Sequence, residues 1–320
     1  NGAIGDFLHH QGNGLDVGMT LRHQGRPIAL EREALAEAYP EATGHLCVLV
    51  HGLSATEWSW SVASEHFHGT PGVNIGTQLN ADANYTPLFV RYNSGRHVSI
   101  NGQQLSDLLT ALVEAYPHPI ETLALVGHSM GGLVSRSAAH HAHTHNAPWL
   151  DHLDHLVCIG SPHLGAPLEK VANALSAVLG MVNHPGTQVP AKVLNARSEG
   201  IKDLRFGYIQ EAEWQGLDPD ALLTNNAQGV TPIPGVRFMA IAGTLTQDPN
   251  HPAGALLGDL LVRTGSATHY SEATEDGTLR HVPFRAERIF PGTDHLRLAN
   301  HPDVYAVVRD HLTQPPDPSA

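Results

Sequence analysis

The chain has 320 residues, 41% of them hydrophobic and 15% charged, enough length and apolar content for a packed core and too little charge for a disordered chain. Its 18 basic and 31 acidic residues give a formal charge of -13 with no Lys or Arg cluster, which argues against a nucleic-acid partner and against a basic membrane-surface helix. No apolar run reaches the roughly 18 residues of a membrane span. Residues 1 to 10 lack the layout of a secretory signal, so the expectation is a soluble, cytoplasmic protein without stable membrane insertion.

In chain order, residues 15 to 30 read as a β-hairpin turning at His23 to Arg26 around Gly25. Residues 31 to 39 read as a short helix stopped by Pro40. Leu46 to Val50 is a continuous apolar run, and Pro87 to Tyr92 is a second strand candidate. A helix is predicted from about Gly102 to Tyr116, with Leu105, Leu108, Leu109, Leu112 and Val113 on one face. Thr122 to Val126 is a third apolar run, and a helix should start directly after Ser129 and reach about His141. His155 to Ile159, Val236 to Ala242 and the weaker Glu287 to Phe290 complete the strand candidates, and Val304 to Leu312 reads as a final helix. Short apolar strands alternating with amphipathic helices predict a mostly parallel sheet covered on both faces, with ligands bound beyond the carboxyl ends of its strands. Between the core segments, 1–166 and 235–320, the stretch 167–234 has helical character and no convincing strand, which is the expectation for a helical cap.

The sharpest chemical signal is LALVGHSMGGLVSR, residues 123 to 136, which holds Gly127-His128-Ser129-Met130-Gly131 between a strand and a helix. A Gly-x-Ser-x-Gly turn in that context bends the chain sharply, forces the serine into a strained conformation and pushes its hydroxyl out beside a helix N-terminus. Side chains at 127 and 131 would collide with neighbouring backbone. Ser129 is therefore the expected nucleophile. Acyl transfer also needs preorganised N–H donors for the oxyanion. The residue after the nucleophile, Met130, offers one, and LVHGL, residues 49 to 53, offers the other at Leu53.

The general base should lie far downstream, with the acid between it and the serine. His295 in FPGTDHLRL follows the last strand candidate and is preferred to His301, which sits beside Pro302 at a helix start. For the acid, Asp248, Asp259 and Asp276 are the candidates. Asp259 is preferred because it stands in the apolar GALLGDLLV, where a carboxylate needs a partner. Asp294 adjoins His295, so its side chain should point elsewhere. Trp58, His128, Leu164 and Val262 are candidates for contacting substrate, although Trp58, Leu164 and Val262 serve equally well as packing residues.

Taken together, HGL, GHSMGG, SPHLGAP and TDHLRL, in that order, resemble bacterial lipases and esterases of the α/β-hydrolase superfamily, and in particular the group of PGAP1-like hydrolases. The resemblance runs from about Leu46 to Leu312. It implies an α/β-hydrolase fold and carboxylic-ester hydrolysis without a cofactor. Gly258, Asp259 and Val262 resemble the family segment that bears the acid, with Leu260 where glycine is frequent. SPHLGAP, Ser161 to Pro167, resembles a segment lining the cleft, and RYNSGRH, residues 91 to 97, is also shared without an evident role. The implied strand order places a strand between Cys47 and Cys158, too far apart for a disulfide.

The expected substrate is a small-molecule, lipid or polymer ester with a hydrophobic acyl or aromatic group. Thioester, amide or polyester cleavage on the same residues, or a silent hydrolase fold acting as a binding module, are the alternatives. Of the 24 histidines, His140, His141, His143, His145, His152 and His155 crowd one region with Asp151 and Asp154, but the spacing matches no zinc signature, and no metal is expected.

Overall fold

A computed structural model gives the fold and describes residues 5–12, 16, 18–166, 198–216, 226–230, 233–244, 271–273, 279–281 and 286–314. The first half runs α1 (Gly5–His10), β1 (Thr20–His23), β2 (Arg26–Ile28), α2 (Arg32–Ala38), β3 (His45–Val50), α3 (Ser64–His68), α4 (Ile75–Ala83), β4 (Thr86–Arg91), α5 (Val98–Ala115), β5 (Thr122–His128), α6 (Met130–His145) and β6 (Leu153–Ile159). The remainder comprises α7 (Glu199–Phe206), β7 (Arg237–Thr244), β8 (Ser271–Ala273), β9 (Leu279–His281), β10 (Ala286–Pro291), α8 (His295–Leu298) and α9 (Pro302–Thr313). No helix among the described residues is long and apolar enough to cross a membrane.

The strands form one eight-stranded sheet in the order β10-β7-β6-β5-β3-β4-β1-β2, and β8 pairs with β9 in a separate two-stranded sheet. From β10 to β4 the neighbours are parallel; β1 is antiparallel to both β4 and β2. The continuous apolar runs arise because the central strands are buried on both faces. On β3, Leu46, Val48 and Val50 join the hydrophobic cluster that includes α5 and α6, whereas Cys47 and Leu49 join the one that includes α4 and α9. Each fully buried Leu in these layers contributes roughly 2 kcal/mol through the apolar area it removes from water. Cys47 pairs in register with Ala124, and Gly127 with Cys158, so β5 separates the two free thiols as the implied strand order requires.

Three helices show how the elements depart from the sequence pattern. Helix α5 starts at Val98, four residues before the expected boundary at Gly102. Gly102 marks a close crossing of helices rather than an end, since a Cβ there would run into the Ser137 side chain on α6. Helix α6 continues past His141 to His145. Helix α4, which the apolar pattern does not announce, lies between the parallel strands β3 and β4, where the chain must cross over. Its start is set by a reciprocal cap: Asn74 Oδ1 accepts from Thr77 N at 3.1 Å and Thr77 Oγ1 accepts from Asn74 N at 2.9 Å.

Within the expected cap segment, the described residues 198–216 pack on the starts of α5 and α6. Ile201, Leu204 and Ile209 are buried in the same cluster as β3. The His97 ring stacks on Trp214, with centroids 3.7 Å apart, and its Nδ1 hydrogen-bonds Asp203 Oδ1 at 3.0 Å. Asp203 also accepts from Val98 N at 2.7 Å, and Gly200 N donates to Gly95 O at 3.1 Å.

At the amino end of β7, Arg237 Nη2 donates to His155 Nε2 at 2.7 Å, and the His311 ring lies 5.0 Å from that of His155. A guanidinium only donates, so His155 is held neutral. Burial, reinforced by Arg237, lowers His155 to about 3, and burial lowers His311 to about 4. Unfolded histidine titrates near 6.5. The unfolded chain therefore binds protons that the native chain refuses, and stability is full above pH 6.5 and falls as the pH drops toward 4. At pH 5 the cost is about 2 kcal/mol for each of the two. Urea midpoints measured from pH 7.5 to pH 4.5 should fall, and His155→Gln should flatten the decline. An identical slope in that variant would rule out His155 as a source.

Candidate active site

Four loops meet at the carboxyl edge of the sheet: those after β3, β5, β6 and β10. Ser129 stands between β5 and α6 with φ 56° and ψ −126°, a conformation that costs a non-glycine residue on the order of 1–3 kcal/mol. It is held there from both sides. Ser129 N donates to Ile159 O on β6 at 2.8 Å, and Ser129 O accepts from Gly132 N at 3.1 Å. The expected collisions at 127 and 131 are real. A Cβ on Gly127 would enter the Gly131–Gly132 backbone, and one on Gly131 would enter the Val50 and His51 carbonyls. The first turn of α6 thus presses directly on the end of β3.

The loop after β3 lies against the serine. A Cβ on Gly52 would sit 2.9 Å from Ser129 Cβ and 3.4 Å from Ser129 Oγ. Leu53 follows, only 8% exposed, and Met130 is fully buried. His51 is buried, with its Nδ1–H donating to Gly52 O at 2.8 Å and its ring stacked on Tyr92 at 4.4 Å. Burial lowers its pKa to about 4, so it is neutral at pH 7.

His295 opens α8, beyond the end of β10. The turn before it is tied back to β7 by Thr293 N donating to Thr244 O at 3.1 Å. His128 Nε2–H donates to the His295 carbonyl at 2.9 Å, and the two rings lie 4.8 Å apart. The far end of the chain thereby meets the residue immediately before Ser129. The other downstream candidates have local duties. Asp294 Oδ1 accepts from Leu296 N and Arg297 N, both at 3.1 Å, capping α8. His301 caps α9, its Nδ1 accepting from Asp303 N at 3.2 Å.

The residues expected to contact substrate have the following surroundings. His128 holds the His295 backbone, because the last residue of β5 turns its side chain toward α8. Trp58 is 60% exposed and lies against the β1–β2 turn, where a Cβ on Gly25 would come 3.0 Å from its ring. Trp60, two residues on, is the tryptophan that meets the His128 ring, 6.2 Å away and edge-on. Leu164 is half-buried in the loop after β6. Asp259 and Val262, with the rival acids Asp248 and Asp276, lie outside the described residues.

RYNSGRH acquires contacts that sequence reasoning missed. Tyr92 Oη donates to His51 O at 2.8 Å, and Ser94 Oγ accepts from Ser54 N at 2.9 Å. The histidine-rich region divides. His145 Nδ1 donates to His141 O at 2.9 Å with the two rings stacked, whereas His155 is engaged by Arg237. Among the described residues, no group of three or more His, Cys, Asp or Glu side chains is arranged to hold a metal ion.

The parallel sheet, the strained serine elbow between β5 and α6, and the glycine-bearing loop after β3 define an α/β-hydrolase fold. The chain belongs to the PGAP1-like α/β domain family, whose model matches residues 41–233. Among solved structures it is similar to the mature lipase BlEst2 of Bacillus licheniformis, with 19% identity, a TM-score of 0.51, and 84% of this chain and 92% of that chain covered. It is also similar to lipase 1 of Pelosinus fermentans, with 13% identity, a TM-score of 0.50, and coverage of 86% and 100%. At these identities the likeness is one of fold. No curated protein sequence matches the chain.

Proposed function

We propose that the chain is a serine carboxylic-ester hydrolase with Ser129 as nucleophile, His295 as general base and Asp259 as the acid that orients it. The observation that carries this reading is the strained Ser129 with Gly52 packed against its side chain and the His295 backbone bonded to His128. In the reaction, His295 takes the Ser129 proton as Oγ attacks the ester carbonyl. The N–H groups of Leu53 and Met130 receive the charge that develops on the carbonyl oxygen. His295 then protonates the departing alcohol, and water, activated by the same imidazole, releases the acid from the acyl-enzyme. This chemistry requires no metal or cofactor.

Esters are favoured over amides because alcohols leave more readily than amines. The apolar stretches within 167–234, with Leu164 and Val262, favour a hydrophobic acyl or aromatic group, carried by a small molecule, a lipid or a polymer. A fluorophosphonate probe tests the reading. The folded protein should be labelled at Ser129 with one-to-one stoichiometry and lose its activity toward chromogenic esters in proportion. A folded protein that stays unlabelled would instead be a silent binding module.

A further inference from the structure

We infer that Tyr92 and Ser94, on the loop between β4 and α5, are positioning residues that set the Leu53 N–H for the transition state; this rests on the ester-hydrolase reading. The two donors of the oxyanion are held in different ways. The Met130 N–H is fixed by its place in the first turn of α6. Leu53 belongs to neither helix nor strand, and its N–H needs another source of rigidity. An oxyanion donor is effective only if it is in place before charge develops.

Four hydrogen bonds supply that rigidity, at least one on each of the three peptide planes between His51 and Ser54. The plane between His51 and Gly52 is fixed by its carbonyl, which accepts from Tyr92 Oη at 2.8 Å. The plane between Gly52 and Leu53 is fixed by the Gly52 carbonyl, which accepts from His51 Nδ1 at 2.8 Å and from Ala55 N at 3.3 Å. The plane between Leu53 and Ser54 is fixed by Ser54 N, which donates to Ser94 Oγ at 2.9 Å. In a trans peptide the carbonyl and the N–H point in opposite directions, so drawing Gly52 O toward the His51 ring turns the Leu53 N–H the other way.

The clamp is dry and stiff. Tyr92 and Ser94 are each 2% exposed, and burial raises the Tyr92 pKa, which keeps the phenol protonated as a donor. Ser54 has φ 57°, a left-handed conformation that a non-glycine residue keeps only when its neighbours enforce it. The clamping loop is itself braced, since Asn101 Nδ2 donates to Asn93 O at 3.1 Å and Gly200 N to Gly95 O at 3.1 Å.

The test compares Tyr92→Phe, Ser94→Ala and Ser94→Thr with the parent and with Ser129→Ala, using a chromogenic ester and a trifluoromethyl ketone that forms a tetrahedral adduct. Tyr92→Phe and Ser94→Ala should each lower kcat about 10-fold with KM within about twofold, less than the full loss of an oxyanion donor. Ketone affinity should fall by the same factor as kcat/KM, and Ser94→Thr, which keeps the hydroxyl, should recover most of the loss. Unchanged kcat in folded Tyr92→Phe and Ser94→Ala, with Ser129→Ala inactive, overturns the positioning role alone. Losses that follow thermal stability, move KM as much as kcat and are not rescued by Thr also overturn it, in favour of a purely structural contact. Full activity in Ser129→Ala removes the hydrolase reading and the inference with it.

Discussion

Ser129→Ala should lower the turnover of a chromogenic ester on the order of 10⁶-fold and abolish fluorophosphonate labelling. The loss would reflect chemistry, because the main-chain features that hold the elbow do not depend on the Ser129 side chain. Alanine at φ 56° bears the same backbone strain as serine, and the bonds from residue 129 to Ile159 and Gly132 are made by the main chain. His295→Ala should cost nearly as much, and the double variant little more than either, because the serine and the imidazole act as a unit. Asp259→Asn should cost on the order of 10⁴-fold by orienting the imidazole wrongly, and Asp248→Asn should remain near the parent. Steady-state kcat on the five variants decides the assignment. A Ser129→Ala protein with parental turnover refutes it, and a large loss in Asp248→Asn with none in Asp259→Asn moves the acid.

Gly131→Ala should lower stability and activity together, by more than the substitutions outside the proposed Ser129, His295 and Asp259. The added methyl group would lie 2.6 Å from the His51 carbonyl oxygen and nearer still to that of Val50. Neither obstacle gives way. Val50 is paired on one side with Val90 and on the other with Gly127, so the end of β3 is fixed within the sheet. Helix α6 must retreat instead, and it carries the Met130 N–H and the Ser129 backbone away from Gly52 and Leu53. Overpacking of this kind costs roughly 1–3 kcal/mol. A misplacement of about 1 Å between reacting groups costs up to about 100-fold in rate. Gly18→Ala serves as the control, because nothing lies within 4 Å of a Cβ built there. Thermal melts and kcat should separate the two variants. A Gly131→Ala protein with parental stability and turnover would show that α6 and β3 are not rigidly apposed.

The sheet was legible because its central strands are buried on both faces, which prints them as unbroken apolar runs such as LCVLV and LALV. The elbow was legible because steric exclusion leaves only glycine at 127 and 131, and a constraint of that kind survives in a sequence. Helix α4 was not, since Ile75, Gly76 and Leu79 are its only buried residues and make too short a stripe. The neighbours of His128 and Trp58 were not legible for a different reason. Proximity in sequence to Ser129 or to the loop after β3 does not say which way a side chain leaves a turn. Tyr92 and Ser94 were visible as residues but not as a clamp. A polar cluster after a strand reads as solvated loop, and only the fold reveals that Asn93, Ser94 and Asn101 are buried.

The two cysteines carry a practical consequence. Cys47 and Cys158 lie on different strands of the sheet interior with no exposed surface, and burial pushes both thiols up to about 12. Alkylating and oxidising reagents attack thiolates, so neither sulfur reacts while β3 and β6 keep their places. Their modification rate is therefore a native clock for the opening of the central strands, readable without an added label and independent of any activity assay.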